Sequence, residues 1–370
     1  MSARRKAEHL KVALDCDLEA KREACWSDVH LLHECLPEID QKDINLRVEF
    51  CGRVLNYPLM INAITGGCSE AVRFNEVFAQ AAEHFGIGMG LGSQSPLLDS
   101  PELEYTYTVA RKTAPSAFLV ANIGASRLVE QSGDIACTID QIQHIIEIVH
   151  ADALAIHLNF LQESVMPEGD RKAKGCIEAI RRVSEELAVP VFMKETGAGI
   201  SAGQAAQLSD CGVSALDIGG AGGTSMALLE SHRARMNNNL KYEVLGSTLA
   251  HWGIPTVVSL MEARSSGLPI IASGGITNGL DAAKALALGA DLVGVAGPIL
   301  HAAAKGYQAV LDWLDLFFSE LSVVMFLTSA PSIKELQKRK LIILGSTREW
   351  LEQLGHDISG ICNERLNSKS

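Results

Sequence analysis

The sequence contains no run of the roughly 18 apolar residues needed to cross a bilayer, which excludes a helical membrane span. Behind the basic start Arg4-Arg5-Lys6 there is no apolar segment, so the N-terminus does not read as a signal peptide. The nine cysteines form no C-x-x-C pair and no His/Cys cluster of zinc spacing, and they read as reduced thiols of a cytoplasmic protein. An excess of bases is also missing. Acids outnumber bases 44 to 32, for a formal charge of −12, which argues against nucleic acid and anionic membranes as partners. Pro/Ser-rich linkers, low-complexity tracts and short internal repeats are absent, so one domain with extensions describes the 370 residues best. No G-x-G-x-x-G fingerprint follows a strand-like run, so a nicotinamide nucleotide would visit rather than stay bound.

The chain does contain eight short apolar runs, at 59–63, 86–91, 117–122, 153–158, 190–194, 215–218, 269–272 and 291–296. Runs of this length fit strands buried on both faces, as in a parallel sheet. Segments of helical period, such as 71–84 and 176–188, lie between most of them. Eight such units predict a (β/α)8 TIM barrel with N-terminal and C-terminal extensions. Its active site would sit where the strands end. The division follows: an extension over 1–55, the barrel strands over 56–300 with an insertion around 225–250, and the last barrel helix with a C-terminal extension over 301–370.

Each run ends in a glycine or polar cluster. Gly219, Gly220, Gly222 and Gly223 follow the sixth, Gly274 and Gly275 the seventh, and Gly297 the eighth. Glycine allows close backbone approach, and the last two loops of a barrel commonly hold a phosphate on backbone N–H groups. Ordinary βα turns are the plain alternative. A flavin mononucleotide (FMN) would use such a site and lay its ring over the barrel mouth. Lys194 ends the fifth run. It reads as a cation for the edge of a reduced flavin, or as a structural ion pair with Glu195. Thr65, Ser93, Asn122 and Thr224 are short polar groups at other strand ends, suited to a ring edge or to helix capping.

The fourth unit reads His157-Leu158-Asn159-Phe160-Leu161-Gln162-Glu163, then Pro167-Glu168-Gly169-Asp170-Arg171. His157 and Asn159 would share a face, and Gln162 and Glu163 would open a loop. One carboxylate among amides and imidazole suits Mg2+ held largely by water and substrate phosphates, and does not suit a closed zinc site. Arg4, Arg5, Lys6, His9 and Lys11 read by composition as a frayed, solvated start, and otherwise as a lid over a diphosphate.

These residues resemble the type 2, FMN-dependent isopentenyl-diphosphate isomerases from about Arg5 to about Gly355. The signatures are Arg5-Lys6-x-x-His9, Asn62-Ala63-Ile64-Thr65-Gly66-Gly67, Gly92-Ser93-Gln94, Ala121-Asn122-Ile123-Gly124, the block from His157 to Arg171, Lys194-Glu195, Gly222-Gly223-Thr224, Trp252-Gly253-Ile254-Pro255-Thr256 and Ser273-Gly274-Gly275-Ile276. The resemblance implies interconversion of isopentenyl and dimethylallyl diphosphate, a 1,3-proton shift at reduced FMN. It implies NADPH as reductant, Mg2+ on the diphosphate and a homo-oligomer, tetramer or octamer. Carried over by position, Thr65, Gly66, Ser93, Asn122, Lys194, Thr224, Gly274, Gly275, Ala296 and Gly297 hold FMN. Arg5, Lys6, His9, His157, Asn159 and Gln162 hold the substrate, Glu163 binds Mg2+, and Gln162, His157 and Lys194 serve the chemistry. Ser95 and Thr277 stand where relatives often have arginine, Met226 where an aromatic residue is usual, and Ile64 where methionine is.

The rivals are an FMN-dependent 2-hydroxy-acid oxidase and a flavin-binding barrel without catalysis. The first wants a His-Gly-x-Arg string that the seventh strand end, Ser273-Gly274-Gly275, lacks. An inosinate-dehydrogenase type wants a cysteine in the loop 219–224, which has none.

Overall fold

A computed structural model describes residues 2–18, 23–132, 134–358 and 360. Its centre is a closed barrel of eight parallel strands: β1 (Leu59–Ile61), β2 (Gly88–Gly90), β3 (Phe118–Gly124), β4 (Ala153–Leu158), β5 (Val191–Glu195), β6 (Ala215–Asp217), β7 (Ile270–Ser273) and β8 (Leu292–Val295). Val293 of β8 pairs with Leu59 of β1 and closes the ring. Each strand falls within or next to its apolar run. The helices between them include Ala71–Phe85 and Cys176–Glu186, where the period of 3.6 places them.

Alternation along the strands sorts the interior into layers. Met60, Phe118, Val120, Ala153, Ala155, Phe192, Ala215, Ile271 and Leu292 form the lower, apolar layers. Two residues further along, the same faces present Asn122, His157, Lys194, Asp217 and Ser273. The barrel is therefore packed and dry below and polar at its mouth. The antiparallel ribbon of Val48–Phe50 and Arg53–Leu55 plugs the bottom. Phe50 meets Phe192 and Phe118 edge-on at 5.5 and 6.4 Å between ring centres.

The extensions brace this core. Val29–Leu31 pairs antiparallel with Leu341–Ile343, tying the two ends of the chain together. The 21-residue helix Tyr307–Leu327 packs on the barrel flank, where Phe318 stacks on Tyr57. Residues after β6 form two helices, Met226–Met236 and Leu240–Thr248, before the barrel helix Thr256–Ala263. Among the described residues no helix is long and apolar enough to cross a membrane.

The N-terminus departs from its reading as a frayed start. Ser2–Asp15 is a helix of 14 residues. Leu10 and Val12 are buried in the core contacts, Val12 packing with Leu229 of the insertion. Leu10, Ala13 and Leu14, at the three- and four-residue spacing of one helix face, seat this basic segment on the core, and Val12 meets Leu229 on another face.

Candidate active site

One cavity of about 1400 Å3 opens at the C-terminal ends of the strands. Pockets for small ligands span roughly 300–1,000 Å3, so it has room for two molecules. Arg5, Lys6, His9, Thr65, Gly66, Ser93, Asn122, His157, Asn159, Gln162, Glu163, Lys194, Thr224, Gly274, Gly275, Ala296 and Gly297 all line it. So do Ile64, Ser95, Met226 and Thr277.

The glycines make the floor of one side. A Cβ on Gly223 would stand 2.6 Å from Gly275 N, and one on Gly275 would stand 2.5 Å from Gly222 O. The loops after β6 and β7 thus lie backbone against backbone, and their N–H groups can reach an anion only because no side chains intervene. The helix Gly297–Lys305 starts at the same wall and adds the partial positive charge of its N-terminus. Ser225 caps Met226–Met236 through Leu228 N, which leaves Thr224 facing the cavity instead of capping. Thr277 is turned away from this duty: its N and Oγ1 both donate to Asp281 Oδ2.

Polar side chains on the barrel mouth are held by one another. Lys194 Nζ lies 2.9 Å from Asp217 Oδ2, and Asp217 Oδ1 accepts from Ser273 Oγ. The alternative pairing of Lys194 with the Glu195 carboxylate is not found. Successive residues of a strand point to opposite faces, and Glu195 Oε2 instead accepts from the N–H groups of Gly197, Ala198 and Gly199. Asn122 Nδ2 donates to Leu91 O, which turns its carbonyl oxygen to His157 Nδ1 at 2.9 Å. Burial, reinforced by the charges of Lys6 and Lys194, lowers His157 to about 3. Burial thus favours its neutral imidazole form. Thr65 spends its hydroxyl proton on Asn75 Oδ1 at 2.6 Å. Tyr107 packs beneath Gly66 and Gly67 and donates to Ser93 O.

Gln162 and Glu163 do not lie in a loop as the sequence suggests. They sit on the short helix Phe160–Ser164, both buried. Glu163 Oε1 accepts from Asn159 Nδ2 at 2.8 Å and Oε2 from Asp170 N at 2.9 Å. Burial nonetheless raises its pKa. Gln162 Nε2 donates to Glu230 Oε1 at 2.6 Å.

Glu230 is the residue that sequence reasoning missed most. It is buried on the insertion helix, and His9 Nε2 lies 2.8 Å from its Oε1 while Arg233 Nε donates to Oε2. Burial works against its charge. His9, Arg233 and Gln162 together outweigh that and hold it at about 2. Arg233 continues to Glu168 and Glu8, so the N-terminal helix, the loop after β4 and the insertion share one ionic cluster. Glu230 and Arg233 stand three apart, a spacing that pairs them on one helical face, but nothing local shows which loop they meet. Asp217 had a signal: an acid inside an apolar run requires a partner.

Among the described residues no three His, Cys, Asp or Glu side chains gather to hold a metal. A cation at Glu163 would lean on substrate oxygens and water.

Known proteins resemble this chain in sequence and in fold. The model of the FMN-dependent dehydrogenase family matches residues 157–343. An isopentenyl-diphosphate delta-isomerase of Methanothermobacter thermautotrophicus is 44% identical over 96% of this chain and 98% of its own. One of Methanosarcina mazei is 43% identical over 97% of each chain. Among solved structures, a mandelate oxidase with (S)-2-phenylpropionate superposes at a TM-score of 0.61, covering 92% of this chain and 96% of its own. At 17% identity that likeness speaks for the fold alone.

Proposed function

The chain belongs to the FMN-dependent isopentenyl-diphosphate delta-isomerases, and from that premise we propose how its residues divide the work. The enzyme interconverts isopentenyl and dimethylallyl diphosphate, moving one proton along three carbons with no net redox change. The observation that carries the reading is the cavity that joins a glycine cradle, a largely covered lysine and a basic helix.

The residues fit FMN. The cradle of Gly222, Gly223, Gly274 and Gly275 would be filled by any Cβ, and with the start of Gly297–Lys305 it offers only backbone donors, as a phosphate requires. Thr65, Gly66, Ser93, Asn122, Lys194, Thr224, Ala296 and Gly297 complete its wall. When bound and reduced, FMN supplies an electron-rich ring able to exchange a proton with the alkene carbons. A visiting NADPH is the proposed electron donor.

Arg5, Lys6 and His9 bind the diphosphate from above, and His157 and Asn159 from the barrel side. Glu163 would hold Mg2+ with its carboxylate, and the ion would offset the negative charge of the diphosphate. Remote binding energy of this kind orients the alkene, which has no polar handle of its own. His157, which burial holds toward its neutral form, serves by donating or accepting a hydrogen bond. Gln162 is an amide and a poor acid or base, so it orients the reacting carbons while Glu230 fixes its rotamer. The helix Ser2–Asp15 excludes water, which would trap a carbocation as an alcohol.

The enzyme is further read as a cytoplasmic homo-oligomer. Leu316, Val323 and Leu327 are exposed along Tyr307–Leu327 and give a self-complementary contact an apolar face. The deciding experiment is conversion of isopentenyl to dimethylallyl diphosphate by the purified FMN-loaded protein with Mg2+ and reductant. No conversion under these conditions overturns the reading and favours a flavin-binding barrel without catalysis.

A further inference from the structure

Three cations on the cavity wall are committed to buried or partly buried carboxylates. Arg233 is shared among Glu8, Glu168 and Glu230, Lys194 is paired with Asp217, and Arg4 with Glu8. Arg127 is different. It stands on the turn Ala125–Leu128 that leaves β3 and lines the same cavity. Its side chain is 13% exposed, yet its one ion pair among the described residues is to Asp134, a carboxylate 53% exposed, at 2.7 Å. Its Nε is buried and makes no hydrogen bond among the described residues. The Cys137 thiol is within hydrogen-bonding reach of the guanidinium, and the Asp99 carboxylate is a further charged neighbour. A thiol is a weak acceptor, so the guanidinium fork keeps donor capacity that matches the oxygens of a phosphate.

The surroundings point the same way. Ser93 Oγ and Ser95 Oγ lie 3.1 Å apart on the neighbouring loop and line the cavity. On the other side, Ser126 Oγ donates to Asp170 Oδ2 at 3.4 Å, and Asp170 N holds Glu163. Arg127 is thus one residue from a chain of contacts that ends on the carboxylate assigned to Mg2+.

We propose that Arg127, with the hydroxyl of Ser95, binds one phosphate of the diphosphate substrate, and that Asp134 occupies the guanidinium until the anion displaces it. The proposal rests on the isomerase reading above and adds a cation that reading does not contain. Asp134 can yield because a half-exposed carboxylate recovers its hydration on release, so an ion pair of this kind is weak.

The test is calorimetric titration of inorganic pyrophosphate with Mg2+ into the FMN-loaded full-length protein. Variants are Arg127→Gln, Arg127→Lys and Asp134→Asn, with flavin absorbance and melting temperature recorded for each. Arg127→Gln should bind at least roughly tenfold more weakly, the worth of a hydrogen bond to a charged group, and Arg127→Lys should fall between. Asp134→Asn should bind roughly two- to fivefold more tightly, because a competitor for the guanidinium is gone. Unchanged affinity in Arg127→Gln overturns the proposal and makes the pair structural. If Arg127→Gln fails to hold FMN, Asp134→Asn decides: tighter binding supports the proposal, and equal or weaker binding overturns it. A wild-type protein that binds no pyrophosphate and converts no isopentenyl diphosphate overturns the functional reading, and with it this subsite.

Discussion

Lys194 and Asp217 face each other across adjacent strands, paired in register, with Nζ 2.9 Å from Oδ2 and the carboxylate 3% exposed. Strand register alone brings them together, and each removes the other's reason to leave the interior. Asp217→Asn leaves a buried ammonium without a counter-charge. A loss of about 3–5 kcal/mol is expected for breaking such a pair from one side. Denaturant unfolding of the wild type, Asp217→Asn and the double variant with Lys194→Met measures it. The double variant should recover part of the loss; equal stability of wild type and Asp217→Asn would refute the coupling.

Diphosphate binding should weaken as pH rises through 8. Burial, with Arg5 beside it, lowers Lys6 from 10.5 to about 8. A lysine below its ordinary value is charged below that lowered pKa and neutral above it, so the attraction is present at pH 7 and fades between pH 8 and 9. KM for isopentenyl diphosphate measured from pH 6.5 to 9.5 should show the rise. Lys6→Met should show a higher KM without this limb, and a wild-type KM that is flat across the range argues against the assignment.

Glu163→Gln keeps the shape of the side chain and its bond to Asn159 while removing the charge. It should need more Mg2+ for half-maximal activity and bind diphosphate more weakly, with FMN content unchanged. Titration of activity with Mg2+ gives the comparison. An unaltered Mg2+ requirement would make Glu163 a purely structural acceptor for Asp170 N.

Removal of residues 1–9 takes away Arg5, Lys6 and His9 together with the contact of His9 Nε2 with Glu230 Oε1. Turnover and substrate affinity should fall, while the flavin spectrum stays, since the cradle is built from residues beyond 220. Glu230 would then be left with Arg233 and Gln162 only. Full activity of the truncated protein would reduce the helix to a bystander.

Turnover should depend on prior reduction of the flavin although the reaction is redox-neutral. Anaerobic dithionite or NADPH should switch activity on without being consumed in proportion to product. Equal turnover by the oxidised holoenzyme would contradict the proposed role of an electron-rich ring.

The order of elements and the place of the site are legible from local rules. Strands buried on both faces must be short and apolar, so the eight runs announce themselves; glycine where a Cβ would collide cannot be replaced, so Gly222, Gly223, Gly274 and Gly275 mark the cradle. His157, Gln162 and Glu163 are likewise visible as polar residues at the end of an apolar run. What the chain by itself left open is partner choice. Lys194 had two acids to choose from, Glu195 beside it and Asp217 at a distance of 23 residues, and only barrel closure with its register selected the second. The seat of the N-terminal helix, the ionic cluster of His9, Glu230, Arg233 and Glu168, and the approach of Arg127 to the site are of the same kind. Charge and hydrogen-bonding capacity belong to residues and can be read in order; which group desolvates beside which is a property of three-dimensional packing, where the cost of burying a charge is offset only by a neighbour that the linear chain does not name.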